Sequence, residues 1–132
     1  MDYLIDTHVC LWAIANKGKL SVKARSILEN NFYKIFVSQI SFLEIAIKPN
    51  IGKLPEFEVT LQAFIASVYA TGFEVLPLKD GHFVSYSTFI FSPGHRDPFD
   101  RYLITTPSCE NMAIISADEK FRNYIDLVNI IW

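Results

Sequence analysis

Cysteine occurs only twice, at Cys10 and Cys109, which lie far apart and match no metal-ligand spacing. A disulfide framework and a zinc knuckle are both disfavoured, and both thiols are expected to be reduced. Histidine is nearly as sparse. His8, His82 and His95 are scattered, with no pair at the four-residue helical spacing that lets two imidazoles share a metal, so each reads as structural. No apolar run approaches the ~18 residues needed to span a bilayer. The first residues, Met1 to Asp6, carry two acids and no basic n-region. A cytoplasmic protein with no membrane association is therefore expected. Repeats, linkers and low-complexity segments are also lacking. The 132 residues, 51% of them hydrophobic, fit one compact domain, 1–132, with a sizeable core.

A surplus of positive charge is missing as well. The formal net charge of −2 argues against nucleic-acid binding through a broad basic surface, which needs clustered Lys and Arg. That balance changes if four acids gather on one divalent cation. Twelve Lys and Arg then face ten remaining acids, a charge of +2, and the ion reverses the sign of the site.

Short apolar runs alternate with stretches of helical periodicity, the pattern of an α/β domain built on a mainly parallel sheet. Strands are predicted at Tyr3–Ile5, Lys34–Val37, Phe73–Leu76, Ala113–Ser116 and Leu127–Ile131. Leu61, Phe64, Ile65, Val68 and Tyr69 form one apolar stripe on a helix ended by Gly72. Ser21, ahead of Ala24, Ile27 and Leu28, reads as the N-cap of another helix. From Ile40 to Ile47, Phe42, Leu43, Ile45 and Ile47 wrap most of a helix, while Ser41, Glu44 and Lys48 form a polar strip. Such a helix is predicted to be buried nearly all round, with Glu44 pointing into something that tolerates charge. Pro49 to Leu54 then breaks it.

The acids fall at informative places. Asp6 directly follows Tyr3-Leu4-Ile5, and Asp118 follows the Ala113–Ala117 run, so both stand at the C-terminal ends of strands, where open α/β sheets bind ligands. In His95-Arg96-Asp97-Pro98-Phe99-Asp100-Arg101, Asp97 reads as an N-cap with proline at the first helical position, which puts Asp100 at the third. Each acid alone also has a capping reading: Asp6 and Asp118 as N-caps, Asp100 as a complement to the helix dipole, and Ser41 to Glu44 as a capping box. Capping gives no reason to converge four mutually repelling carboxylates on one rim. A hard divalent cation does.

Leu4-Ile5-Asp6-Thr7-His8-Val9, Val37-Ser38, Glu44-Ile45-Ala46-Ile47-Lys48 with Gly52-Lys53-Leu54, the His95–Arg101 segment and Ser116-Ala117-Asp118, in that order, resemble the PIN-domain family. The nearest likeness is to VapC-type toxins of toxin–antitoxin pairs, and it runs almost end to end. The resemblance implies a three-layer α/β/α sandwich with a five-stranded sheet in order 3-2-1-4-5, and a metal-dependent endoribonuclease. It implies an acidic pocket binding Mg2+ or Mn2+ through Asp6, Glu44, Asp100 and Asp118, with 5′-phosphate and 3′-hydroxyl products. Thr7 matches the hydroxyl that often accompanies the first acid, and Asp97 matches a motif residue read here as a cap. Lys48, Lys53, Arg96 and Arg101 are candidate contacts to the RNA backbone. Partners implied are an RNA substrate and an antitoxin protein.

Two residues depart from the family pattern. Pro107 is expected to kink or end its helix near Thr106, and Cys10 replaces a common leucine with little expected effect. Eleven phenylalanines and a mean hydropathy of +0.23 further suggest a homodimer with an apolar groove for a partner segment. Two rival functions remain at this level. One is a PIN-like binding module without activity. The other is a phosphohydrolase using Asp6 as nucleophile, although such enzymes usually carry a second acid where His8 stands.

Overall fold

Leu4 and Ile114 pack into one cluster of buried side chains, while their chain neighbours Tyr3, Ile5, Ala113 and Ile115 pack into another. Successive strand residues point to opposite faces, so both faces of this sheet are covered, as parallel sheets require. The computed structural model describes residues 1–48, 50–51 and 60–132. Its strands are β1 (Asp2–Ile5), β2 (Lys34–Ser38), β3 (Glu74–Leu76), β4 (Ala113–Ile115) and β5 (Ile130–Ile131). All pair in parallel, in the order β3-β2-β1-β4-β5. This is the order that the family resemblance implies.

The helices are α1 (Thr7–Ala15), α2 (Val22–Glu29), α3 (Gln39–Ile47), α4 (Leu61–Ala70), α5 (Asp80–Thr88) and α6 (Pro98–Glu110). Val9 and Leu11 of α1, Ala24 of α2, and Phe64 and Val68 of α4 cover one face. The other is covered by Tyr102, Leu103 and Ile104 of α6, with Phe121 and Tyr124 from a 3-10 turn at Glu119–Tyr124. Helix α3 straddles the rim, with Ile40 in one cluster and Phe42 and Ile45 against the other. Each fully buried Leu, Ile or Phe contributes about 1.5–3 kcal/mol, so this two-sided core fixes the strand ends that carry the acids. Among the described residues, no helix is long and apolar enough to cross a membrane.

Three local expectations need correction. The last strand is only Ile130–Ile131, because the N–H groups of Leu127 and Val128 turn back to the Tyr124 carbonyl, each at 2.9 Å. Helix α3 is not buried all round: Leu43 is 47% and Ile47 60% exposed, so burial is confined to the Ile40, Ser41 and Glu44 face. Helix α6 runs through Pro107 to Glu110, so of the kink or end expected near Thr106 the end does not occur. Pro107 forgoes only its own N–H bond, to the Leu103 carbonyl, and less than a turn of helix follows it. The Thr105 and Thr106 hydroxyls donate to the Arg101 and Tyr102 carbonyls of the preceding turn. Asn111, in the left-handed conformation at φ 52°, then closes the helix by donating its N–H to Pro107 O. Helix α3 ends at Ile47 with Lys48 as C-cap. Pro49, and Gly52, Lys53 and Leu54, lie outside the described residues.

Candidate active site

The sheet reverses its direction of growth between β1 and β4, and Asp6 sits at that switch point, its N–H donating to Ile115 O at 3.2 Å. One oxygen of Asp6 caps α1 by accepting the Val9 N–H at 2.8 Å. The other accepts the Ser116 hydroxyl. Ser116 Oγ in turn accepts the Asp118 N–H at 3.1 Å, and Asp118 Oδ1 caps the following 3-10 turn through the Lys120 N–H at 2.9 Å. The capping reading of Asp6 and Asp118 is thus correct, and it coexists with their convergence. Ser116 joins the two strand-end acids. Its signal in the sequence was slight: a small hydroxyl two residues before Asp118.

Helix α3 brings the third acid. Its N-cap is Ser38, whose Oγ accepts the Ile40 N–H at 3.2 Å, so Ser41 lies within the helix and the capping-box reading of Ser41 and Glu44 does not hold. Glu44 is buried, and its Oε1 accepts the Thr7 hydroxyl at 2.6 Å. Thr7 Oγ1 also lies 2.9 Å from Ser41 Oγ. With one hydroxyl proton committed to the carboxylate, Thr7 leaves Ser41 as the donor in that second pair. Glu44 Oε2 accepts from Lys48 Nζ at 3.1 Å.

Helix α6 begins as its sequence predicts, with Asp97 as N-cap, Pro98 first and Asp100 third. Asp97 Oδ1 accepts the N–H groups of Phe99 and Asp100 at 2.9 and 3.2 Å. Its Oδ2 takes the Lys48 ammonium, which also lies 5.0 Å from the Phe99 ring centroid. Glu44, Asp97 and Asp100 each bring a carboxylate oxygen within 4.8 Å of the others. Asp97 is therefore both a cap and a wall of the site.

Asp6, Glu44, Asp97, Asp100 and Asp118 line one cleft of about 190 Å3, together with Thr7, His8 and Lys48. A larger concavity of about 370 Å3, containing Met1, Ala113 and Asn129, is lined by no acidic, basic or histidine side chain. The chemistry belongs to the smaller cleft. Arg96 is exposed and does not line it. Neither does Arg101, whose Nε donates to His95 O at 2.6 Å and whose guanidinium stacks 4.5 Å from Phe91.

The carboxylates have unequal environments. Burial, then the charges of Asp97, Glu44 and Asp118, pushes the Asp100 pKa up to about 7. Burial also raises Asp6, against the opposing hydrogen bonds from Ser116 and Val9. At Asp97 burial works the same way but is outweighed by Lys48 and the helix N–H groups, so this carboxyl is held below the usual range. Burial lowers the His95 imidazole and raises the Cys10 thiol; Cys10 and Cys109 are both free.

A second group of donors, invisible in the sequence because His82 is far from the adjacent Cys109 and Glu110, lies where α5 meets the end of α6. His82 is fully buried with both nitrogens engaged, Nδ1 with Tyr102 Oη at 2.6 Å and Nε2 with Glu110 at 2.7 Å. Lys79 adds an ion pair to Glu110 at 3.1 Å. That saturated network ties α5 to α6.

The fold and cleft define a class: a doubly wound α/β domain presenting carboxylates from four elements at its switch point. The family model for the PIN domain, a family of nucleases, matches residues 3–127, and the chain belongs to that family. No curated protein matches the chain. Solved structures share the architecture. VapBC-1 from nontypeable Haemophilus influenzae aligns with a TM-score of 0.64 at 17% identity, over 98% of this chain and 96% of that one. VapBC2 from Rickettsia felis, bound to a DNA fragment from their promoter, aligns at 0.62 and 17%, over 100% and 99%. VapBC-5 from Mycobacterium tuberculosis, of the VapBC family of toxin-antitoxin systems, aligns at 0.61 and 14%, over 98% and 97%.

Proposed function

We propose that this protein is a divalent-metal-dependent endoribonuclease, the VapC-type toxin of a toxin–antitoxin pair. The observation that carries this reading is the convergence of Asp6, Glu44, Asp100 and Asp118 in one cleft at the switch point. The side chains able to ligate there are carboxylates, the Thr7 hydroxyl and His8, and the Asp100 carboxylate accepts no hydrogen bond among the described residues. A hard cation such as Mg2+ or Mn2+, which favours oxygen ligands, fits this donor set. Asp6, Glu44, Asp100 and Asp118 would hold it. Once bound, it lowers the pKa of a coordinated water and offsets charge growing on the scissile phosphate.

The chain's own residues supply order. Ser116 fixes Asp6, while Thr7 and Lys48 hold both oxygens of Glu44, which would orient the attacking water or bind a second ion. Lys48 spends two donors on Glu44 and Asp97 and has a third for a substrate phosphate. Arg96, exposed outside the cleft, is a candidate contact to the RNA backbone. Arg101 is one only through guanidinium donors other than the Nε held by His95. Asp6 as a covalent nucleophile is disfavoured, because His8 stands where such enzymes usually carry a second acid.

The antitoxin assignment rests on the kinship of architecture with VapBC chains. An apolar face for that partner, or for a second copy, is supported by the exposure of Leu43, Ile47 and Tyr69 on α3 and α4. The test is cleavage of a labelled RNA and a matched DNA by wild type and Asp6→Asn, with EDTA, Mg2+ or Mn2+. Metal-dependent RNA cleavage lost in the variant is expected. Tight RNA binding with no turnover under any metal would instead indicate a binding module.

A further inference from the structure

His95 is 3% exposed, and its ring is walled by Phe91, Phe121 and Tyr124. Its backbone is tied at both ends, N–H to Ser92 O at 3.1 Å and carbonyl to Arg101 Nε at 2.6 Å. Nδ1 lies 2.6 Å from Tyr124 Oη, and that same hydroxyl accepts the Ser92 N–H at 2.9 Å. With Ser92 as a donor to its oxygen, the Tyr124 hydroxyl satisfies its own single proton by giving it to Nδ1. A neutral imidazole that accepts at Nδ1 carries its proton on Nε2. Nε2 is buried and has no hydrogen-bond partner among the described residues. It lies 4.0 Å from Asp100 Oδ2, the carboxylate that lacks a donor of its own.

A buried donor without an acceptor and a carboxylate without a donor thus face each other, slightly too far apart to bond. A small rotation of the Asp100 side chain, or one bridging water, closes the gap. The imidazole cannot move to do so, because its ring and backbone are both held. We propose that His95 is a positioning residue whose Nε2–H fixes one oxygen of Asp100, so that the other is presented to the divalent cation. This rests on the metal-site reading above. It assigns to His95 the role that outer partners of ligating carboxylates play, whose loss typically costs roughly 10–100-fold in metal affinity.

Two variants separate this role from a packing role. His95→Asn retains an acceptor near the Nδ1 position for Tyr124 but has no donor at the Nε2 position. His95→Gln places an amide donor near Nε2. Mn2+ binding to the metal-free protein, measured by calorimetry at pH 7.5 with thermal melts alongside, should weaken about 10-fold or more in His95→Asn and recover at least in part in His95→Gln. Long-range 15N NMR of the wild type should show the Nε2–H tautomer at His95, a readout independent of how either variant folds. Wild-type-like Mn2+ affinity in folded His95→Asn, equal losses in both variants, or an Nδ1–H tautomer would each overturn the role of His95 and leave the metal site intact. A wild type that binds no Mn2+ would overturn the metal-site reading itself, and this proposal with it.

Discussion

Replacing Asp100 with asparagine should stabilise the metal-free protein. The carboxyl pKa rises from 3.8 to about 7 on folding. At roughly 1.4 kcal/mol per pH unit this corresponds to about 4 kcal/mol of destabilisation above neutrality. The side chain is 23% exposed, so screening by water reduces the figure, to about 2 kcal/mol. Asparagine also gives up a favourable charge in the first turn of α6, about 0.3–1 kcal/mol. The net expected gain is about 1–2 kcal/mol, or roughly 3–6 °C in Tm for a domain of this size. The sign follows from linkage: a carboxyl whose folded pKa is raised contributes stability that is full below its unfolded value and lost as pH rises through the folded one. The difference between variant and wild type should therefore be small near pH 4, grow as pH rises and level off above about 7. Thermal melts in EDTA from pH 4 to 8 measure it. Equal melting temperatures across that range, or a variant less stable at pH 7.5, would refute the reasoning that the site is electrostatically strained without its cation.

Asp97→Ala should move stability the other way, losing about 1 kcal/mol at pH 7 because Phe99 and Asp100 lose their cap; chemical denaturation checks this. Its folded pKa is depressed, so the wild-type contribution is present above the unfolded value and lost as pH falls through the folded one. Asp6→Asn should abolish cleavage and shrink the Mg2+-induced rise in Tm. Its apo gain should be smaller than that of Asp100→Asn, since the new amide must face the Ser116 hydroxyl, and melts with and without millimolar Mg2+ rank the two. Light scattering at micromolar concentration should report a homodimer. A monomer there would remove the self-association reading of the exposed apolar residues.

The sequence by itself determined the frame. Alternating apolar runs and helical stripes specified a parallel α/β sheet, because strands buried on both faces and helices buried on one leave different periodicities. Asp97-Pro98 specified the start of α6 and the position of Asp100, since capping and a fixed proline φ act within one turn. The ends of elements were less legible where tertiary contacts overrode local preference. Pro107, itself buried, stays inside α6, whose Leu103 and Ile104 pack in the core, although it forgoes one backbone bond near the helix end. Only the tertiary structure decided how the acids relate to one another. Nothing in the spacing from Asp6 to Glu44, Asp100 and Asp118 indicates that Ser116 links two of them, that Thr7 and Lys48 hold the third, or that His95 faces the fourth. Those relations span up to 110 residues of chain. They exist because parallel crossovers carry the ends of distant strands and the starts of their helices to one rim.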